Sequence, residues 1–60
     1  MKKEDVKIGQ VWKRKDGRKV KLVDKRPFRG LTEFKLEPID GGRSSWKWSG
    51  GIVNDLSFVE

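Results

Sequence analysis

Short stretches of alternating apolar and polar residues run along the chain, separated by glycine, proline and aspartate. Val6 and Ile8 alternate and predict a brief extended lead-in, after which Gly9 allows a bend. Gln10–Lys15 and Arg18–Lys25 are apolar-and-basic runs on either side of Asp16-Gly17. An Asp-Gly step between such runs is among the strongest short-range hairpin signals. Residues 26–31 (RPFRGL) read as a loop, because Pro27 cannot donate to a ladder and Gly30 marks a turn. Thr32–Glu37 alternates cleanly, with Thr32, Phe34 and Leu36 on one face, and Pro38 ends that strand. Asp40-Gly41-Gly42 reads as a second hairpin loop, and Ser44–Ser49 alternates again. Pairing Leu36 with Trp46 sets Phe34 opposite Trp48, so that four large side chains meet on one face. Gly50-Gly51 then breaks the strand. Residues 52–56 (IVNDL) are too short for a stable helix and suit a single 3₁₀ turn. Ser57–Glu60 closes the chain with Phe58 inward.

The first hairpin admits two registers. A two-residue Asp16-Gly17 loop sets Val11 opposite Leu22 and Trp12 opposite Lys21. Val11, Val20 and Leu22 then face inward, and Trp12, Arg14, Lys19 and Lys21 form a basic outer face. A three-residue Lys15-Asp16-Gly17 loop with Gly17 in a bulge sets Arg14 opposite Arg18 and Trp12 opposite Val20, which sends Trp12 into the core and Val11 out. A slip of one residue exchanges the faces, so only one register holds.

Sixty residues make one domain, 1–60, with residues 1–5 expected to fray. A chain of this length buries only about 60% of the surface its unfolded form exposes. Without cysteine there is no disulfide to staple the fold, and without His or Cys no zinc site of the usual kind. Packing must supply stability, led by Trp12, Trp46, Trp48, Phe28, Phe34 and Phe58. No apolar run exceeds two residues, so neither a signal-peptide core nor a membrane span is expected. Together with the missing cysteines, this predicts a cytoplasmic protein. The initiator Met1 and the lack of a tag read as a whole reading frame.

Charge changes the picture most. Residues 1–30 hold twelve Lys or Arg and four acids, while residues 31–60 hold three bases and five acids. Such asymmetry points to a polyanionic partner; its plainer reading is a solvated surface that keeps a small domain soluble. Lysine and arginine neutralise phosphates, and exposed aromatics stack on unpaired bases. The candidate nucleic-acid-binding residues are Trp12, Lys13, Arg14, Lys15, Arg18, Lys19 and Lys21 on the hairpin, with Arg26, Phe28 and Arg29 on the following loop. Phe28 reads equally as a plug that pins its loop. The absence of His and Cys excludes their catalysis, the acids are scattered, and no glycine pair opens a phosphate-binding helix. No enzymatic activity, cofactor or metal is expected. A protein-interaction module is the other reading, since small β domains dock partners through edge strands and aromatic patches. Either is compatible with a monomer or a small homo-oligomer, with Trp46 or Trp48 at an open rim or subunit interface.

The order of elements predicts an all-β chain of five short strands with a 3₁₀ turn before the fifth. Together with Gly9-Gln10-Val11-Trp12, the Asp-Gly turn, the Val20/Leu22, Phe34/Leu36 and Trp46/Trp48 alternations and Leu56-Ser57-Phe58, it resembles the SH3-like small β-barrel. That group includes Tudor, KOW and many small phage and bacterial domains, and the resemblance spans nearly the whole chain. It implies a five-stranded barrel; were the chain viral, the partner in the protein-interaction reading would be a host protein or a nucleoprotein complex. The chain departs from particular members. It has neither the acidic loop nor the ALYDY-like stretch of peptide-binding SH3 domains. Basic surroundings at Trp12 and Phe28 oppose a methyl-lysine cage. The glycine pattern of KOW domains is not reproduced. Ser45-Trp46-Lys47-Trp48 stands where the plasmid-type dihydrofolate reductase has Val-Gln-Ile-Tyr.

Overall fold

The computed structural model describes residues 2–60. Five antiparallel strands form one sheet in the order β4-β3-β2-β1-β5, where β1 is Val11–Lys13, β2 Lys19–Phe28, β3 Leu31–Pro38, β4 Ser45–Trp48 and β5 Ser57–Phe58. A 3₁₀ turn, Lys3–Asp5, precedes the sheet, and one α-helix, α1 (Ser49–Asp55), connects β4 to β5.

The first hairpin takes the three-residue loop. Trp12 stands opposite Val20, and the Arg14 N–H donates to the Arg18 carbonyl at 2.7 Å. Gly17 has φ +95°, the left-handed backbone such a bulged loop requires. Trp12 is therefore buried, only 1% exposed, among Val20, Leu22, Phe34, Leu36 and Val6. Its indole Nε1–H is satisfied by Gln10 Oε1 at 3.1 Å. The same oxygen accepts the Lys7 N–H, while Gln10 Nε2 donates to the Asp5 carbonyl, so one side chain ties the lead-in to the sheet. Val6 is the buried anchor of this lead-in; Ile8, paired with it in the sequence pattern, is exposed.

Residues 26–31 are not a loop. β2 continues through Pro27 to Phe28, and β3 begins at Leu31 after a two-residue turn. Arg29 (φ +50°) and Gly30 (φ +77°) both take positive φ, as the tight hairpin turn that matches strand twist requires. Pro27 is tolerated because the β1 side of β2 is vacant there: their ladder ends with Leu22, whose carbonyl accepts the Gly9 N–H. Between Leu22 and Asp24 the β2–β3 register shifts by one residue, leaving Val23 as a bulge.

The β3–β4 register differs by one from the pairing expected. Leu36 lies opposite Ser45 and Phe34 opposite Lys47, while Trp46 faces Lys35 and Trp48 faces Glu33. The tryptophans leave the row of Phe34 and Leu36, and α1 completes the core instead with Ile52 and the following Leu56, backed by Val53. Residues 49–55 form a true α-helix rather than a lone 3₁₀ turn, and the Leu56 N–H donates to the Ile52 carbonyl at 2.9 Å. Gly50 and Gly51 belong to this helix. A β-carbon at Gly50 would overlap the six-membered ring of Trp48, and one at Gly51 would lie 2.9 Å from its indole nitrogen. The glycines thus provide the flat surface on which Trp48 rests. Phe58 meets Trp12 edge-on at 5.4 Å between ring centroids, yet on the edge strand β5 it remains 44% exposed rather than fully inward.

Candidate nucleic-acid interface

Alternation along β2 sends Val20 and Leu22 into the core and Lys19 and Lys21 to the opposite, polar face. The bulge at Val23 then reverses the parity. Beyond it Lys25 pairs with buried Phe34, and Arg26 and Phe28 come to the polar face. Lys19, Lys21, Arg26 and Phe28 consequently share one side of a strand that, at about 3.3 Å per residue, runs most of the molecule's 30 Å length.

The two ends of this track differ in electrostatics. Towards the β2–β3 turn the charges are matched across strands: Lys21 faces Glu37, Asp24 faces Lys35 and Arg26 faces Glu33. Arg26 Nε lies 2.9 Å from Glu33 Oε1. Its guanidinium carbon also sits 4.1 Å from the ring centroid of Trp46 and 5.8 Å from that of Phe28, and Arg29 covers Phe28 at 5.3 Å. The result is a row of two guanidinium groups and two aromatic rings, exposed at Phe28 and half-buried at Trp46, that reaches from β2 to β4. Towards the β1–β2 loop the charges are unmatched. Lys13 stands opposite Lys19, and Arg14 is hydrogen-bonded through its backbone to Arg18. Like charges directly opposite each other oppose strand pairing. Lys15 is exposed at the loop, and Arg18 has a loose partner in Asp16 at 3.7 Å.

The residues named from the sequence are therefore distributed as follows. Lys13, Lys19, Lys21, Arg26 and Phe28 share the polar face. Arg14, Lys15 and Arg18 lie at its loop end, and Arg29 at its turn end. Trp12 is not a stacking platform: the three-residue loop turns it inward, where no base can reach it. Sequence reasoning missed Trp46, whose half-buried ring carries Arg26, and Arg43, which lines a cleft with Arg14 and Arg18. The pairing expected from the sequence, Leu36 with Trp46, places both tryptophans in the row of Phe34 and so hides Trp46 from this face.

No family model, curated protein or solved structure matches this chain. Among the described residues no cluster of three or more metal-ligating side chains occurs, and no helix is long and apolar enough to cross a membrane.

Proposed function

We propose that this protein is a non-catalytic binding module that contacts DNA or RNA phosphates through the polar face of β1 and β2. The observation that carries the reading is the like-charged rung Lys13–Lys19, continued along the same face by Lys21, Arg26 and Phe28. The fold maintains a repulsive pair that a phosphate backbone would neutralise. The exposed Phe28 offers a surface for an unpaired base, which favours single strands over duplex. Contacts of this kind position a strand with little sequence readout, since no helix is placed to enter a major groove. The strand order, with β5 returning to β1 after a helical connection, supports an SH3-like barrel as the finer description.

A protein partner is the second reading. The exposed Phe28, Leu31 and Trp48 near the β2–β3 turn favour it, because they offer apolar area away from the unmatched lysines.

The test is a titration with labelled single- and double-stranded DNA and RNA at about 50 and 200 mM salt, a range over which phosphate contacts weaken steeply. Binding that collapses with salt, and whose salt slope falls by about 2 in the Lys13→Ala/Lys19→Ala variant, supports the nucleic-acid reading. Absence of binding at the lower salt overturns it and leaves the apolar turn as the site.

A further inference from the structure

Beyond the sheet face lies a second basic feature. The β2–β3 ladder extends past Val20 and Pro38, with the Ile39 N–H donating to the Lys19 carbonyl at 3.1 Å. That extension carries the β3–β4 loop alongside the β1–β2 loop. Between them is a cleft of about 450 Å³, lined by Arg14 and Arg18 from one loop and by Arg43, Asp40 and the glycines 41–42 from the other. Its size falls within the range of small-ligand sites, roughly 300–1,000 Å³.

Three arginines from three chain positions line this cleft. Arg14 is half-buried, and among the described residues neither Arg14 nor Arg43 forms an ion pair. Lys19 adds a fourth positive charge at the wall, whereas Asp40 is the sole carboxylate lining the cleft. Guanidinium forks match the oxygen geometry of phosphate and grip it with paired hydrogen bonds. Gly41 (φ +93°) and Gly42 (φ +120°) hold the opposite wall in a backbone that side chains rarely adopt, and space around Gly41 is open.

We infer that this cleft binds a phosphate monoester dianion, with Arg14 and Arg43 as its two principal ligands and Arg18 as a third. A monoester carries about −1.5 to −2 at pH 7, against −1 for a diester within a strand. The concentrated charge of the cleft therefore selects a terminal or free phosphate over an internal one. The sheet face, by contrast, tracks a row of single charges. The inference does not depend on the sheet-face reading, because a free phosphate compound satisfies it as well as a strand end does.

The experiment follows backbone amide shifts by NMR during titration with pyrophosphate, adenosine 5′-monophosphate and adenosine. Pyrophosphate and the monophosphate should shift residues 14–18 and 40–43, and adenosine should not. Arg14→Ala and Arg43→Ala should each weaken the monophosphate about tenfold. Arg43→Lys keeps the charge, loses the fork and should still bind more weakly than wild type. Asp40→Asn should tighten binding, and binding should fall below about pH 6, where the phosphate dianion takes up a proton and becomes a monoanion. Arg43 is on an exposed loop, so its variants remain readable should Arg14→Ala fail to fold. Shifts spread evenly over Lys21, Lys25 and Lys35, or affinity unchanged in Arg43→Ala, would overturn the inference. A second arm compares oligonucleotides with and without terminal phosphates. A preference for the phosphorylated end identifies a strand terminus as the source. Equal binding of the two, with the monophosphate still held in the cleft, identifies a free phosphorylated compound. Loss of all oligonucleotide binding with pyrophosphate retained removes the sheet-face reading alone.

Discussion

The dipeptide Trp-Lys occurs twice, in β1 and in β4, and the two copies point opposite ways. In β1, Trp12 is buried and Lys13 faces solvent across from Lys19. In β4, Trp46 stands on the polar face beneath Arg26, while Lys47 lies in the row of buried Phe34 and reaches Asp55 at 2.9 Å. Composition is the same in both; register is not. The bulged Lys15-Asp16-Gly17 loop sets the first copy. The second is set by a loop that passes through the positive φ of Gly41 and Gly42, and by α1, whose Ile52 occupies the core. A residue's part in the core is thus decided by the loop before its strand and by what else fills the space.

The largest effect should come from the buried copy. Trp12→Ala should cost about 3–5 kcal/mol, most of the roughly 3–9 kcal/mol that a domain of this length commands, and leave the chain largely unfolded in a urea titration. Trp46→Ala should cost about 1 kcal/mol or less, because it removes a half-buried ring and one exposed cation–π contact. Equal losses at the two sites would erase the contrast between the strands.

A smaller effect tests why β4 can turn its tryptophans away from Phe34. Gly50→Ala gains helix propensity of up to about 1 kcal/mol, yet it must displace the Trp48 ring at an overpacking cost of about 1–3 kcal/mol. The net expectation is a loss of about 1 kcal/mol, with Trp48 emission moving to longer wavelength as the ring is freed. A raised melting temperature with unchanged emission would show that Trp48 does not depend on the glycine surface.

The smallest effect concerns the inward lysine. The hydrogen bond from Lys47, and then its charge, hold the Asp55 carboxyl below its ordinary pKa. A folded-state pKa lowered in this way adds stability above the unfolded value and loses it as pH falls through the folded value. Wild type should therefore exceed Asp55→Asn slightly in denaturant midpoint at neutral pH, and the two should converge as the pH falls through the lowered folded-state value. The group is solvent-exposed, so the gap should be narrow and narrower still in high salt. A gap that persists unchanged in acid would point to packing by α1 rather than to the ion pair.

Much of the sheet is legible in the residues themselves. Asp16-Gly17 marks the first turn, and Val20, Leu22, Phe34 and Leu36 declare their core positions by alternation. The unequal charge of the two halves directs attention to the first hairpin. Alternation does not state which face is inward, so Ser45-Trp46-Lys47-Trp48 reads equally well in either register and burial of tryptophan was the natural expectation. The helix was hidden because Gly50-Gly51 reads as a break unless a ring is known to lie on it. Arg43 is one of three bases in the acidic half of the sequence, and only the meeting of two loops brings it beside Arg14 in one cleft. The bulge did leave a trace: the alternation of Lys19–Leu22 is broken by Val23, a second apolar residue directly after Leu22.

That bulge makes β2 a ribbon whose two halves are half a wavelength out of step. Before Val23 the odd-numbered residues look outward; after it the even-numbered ones do. Arg26 and Phe28 join Lys19 and Lys21 only because of this phase slip, so the basic track is written in two reading frames joined at one residue. Away from Val23, a single insertion or deletion in β2 would therefore put every side chain beyond it out of phase with the half before, whereas loss of Val23 itself would restore plain alternation and leave Arg26 and Phe28 on the face of Lys19 and Lys21.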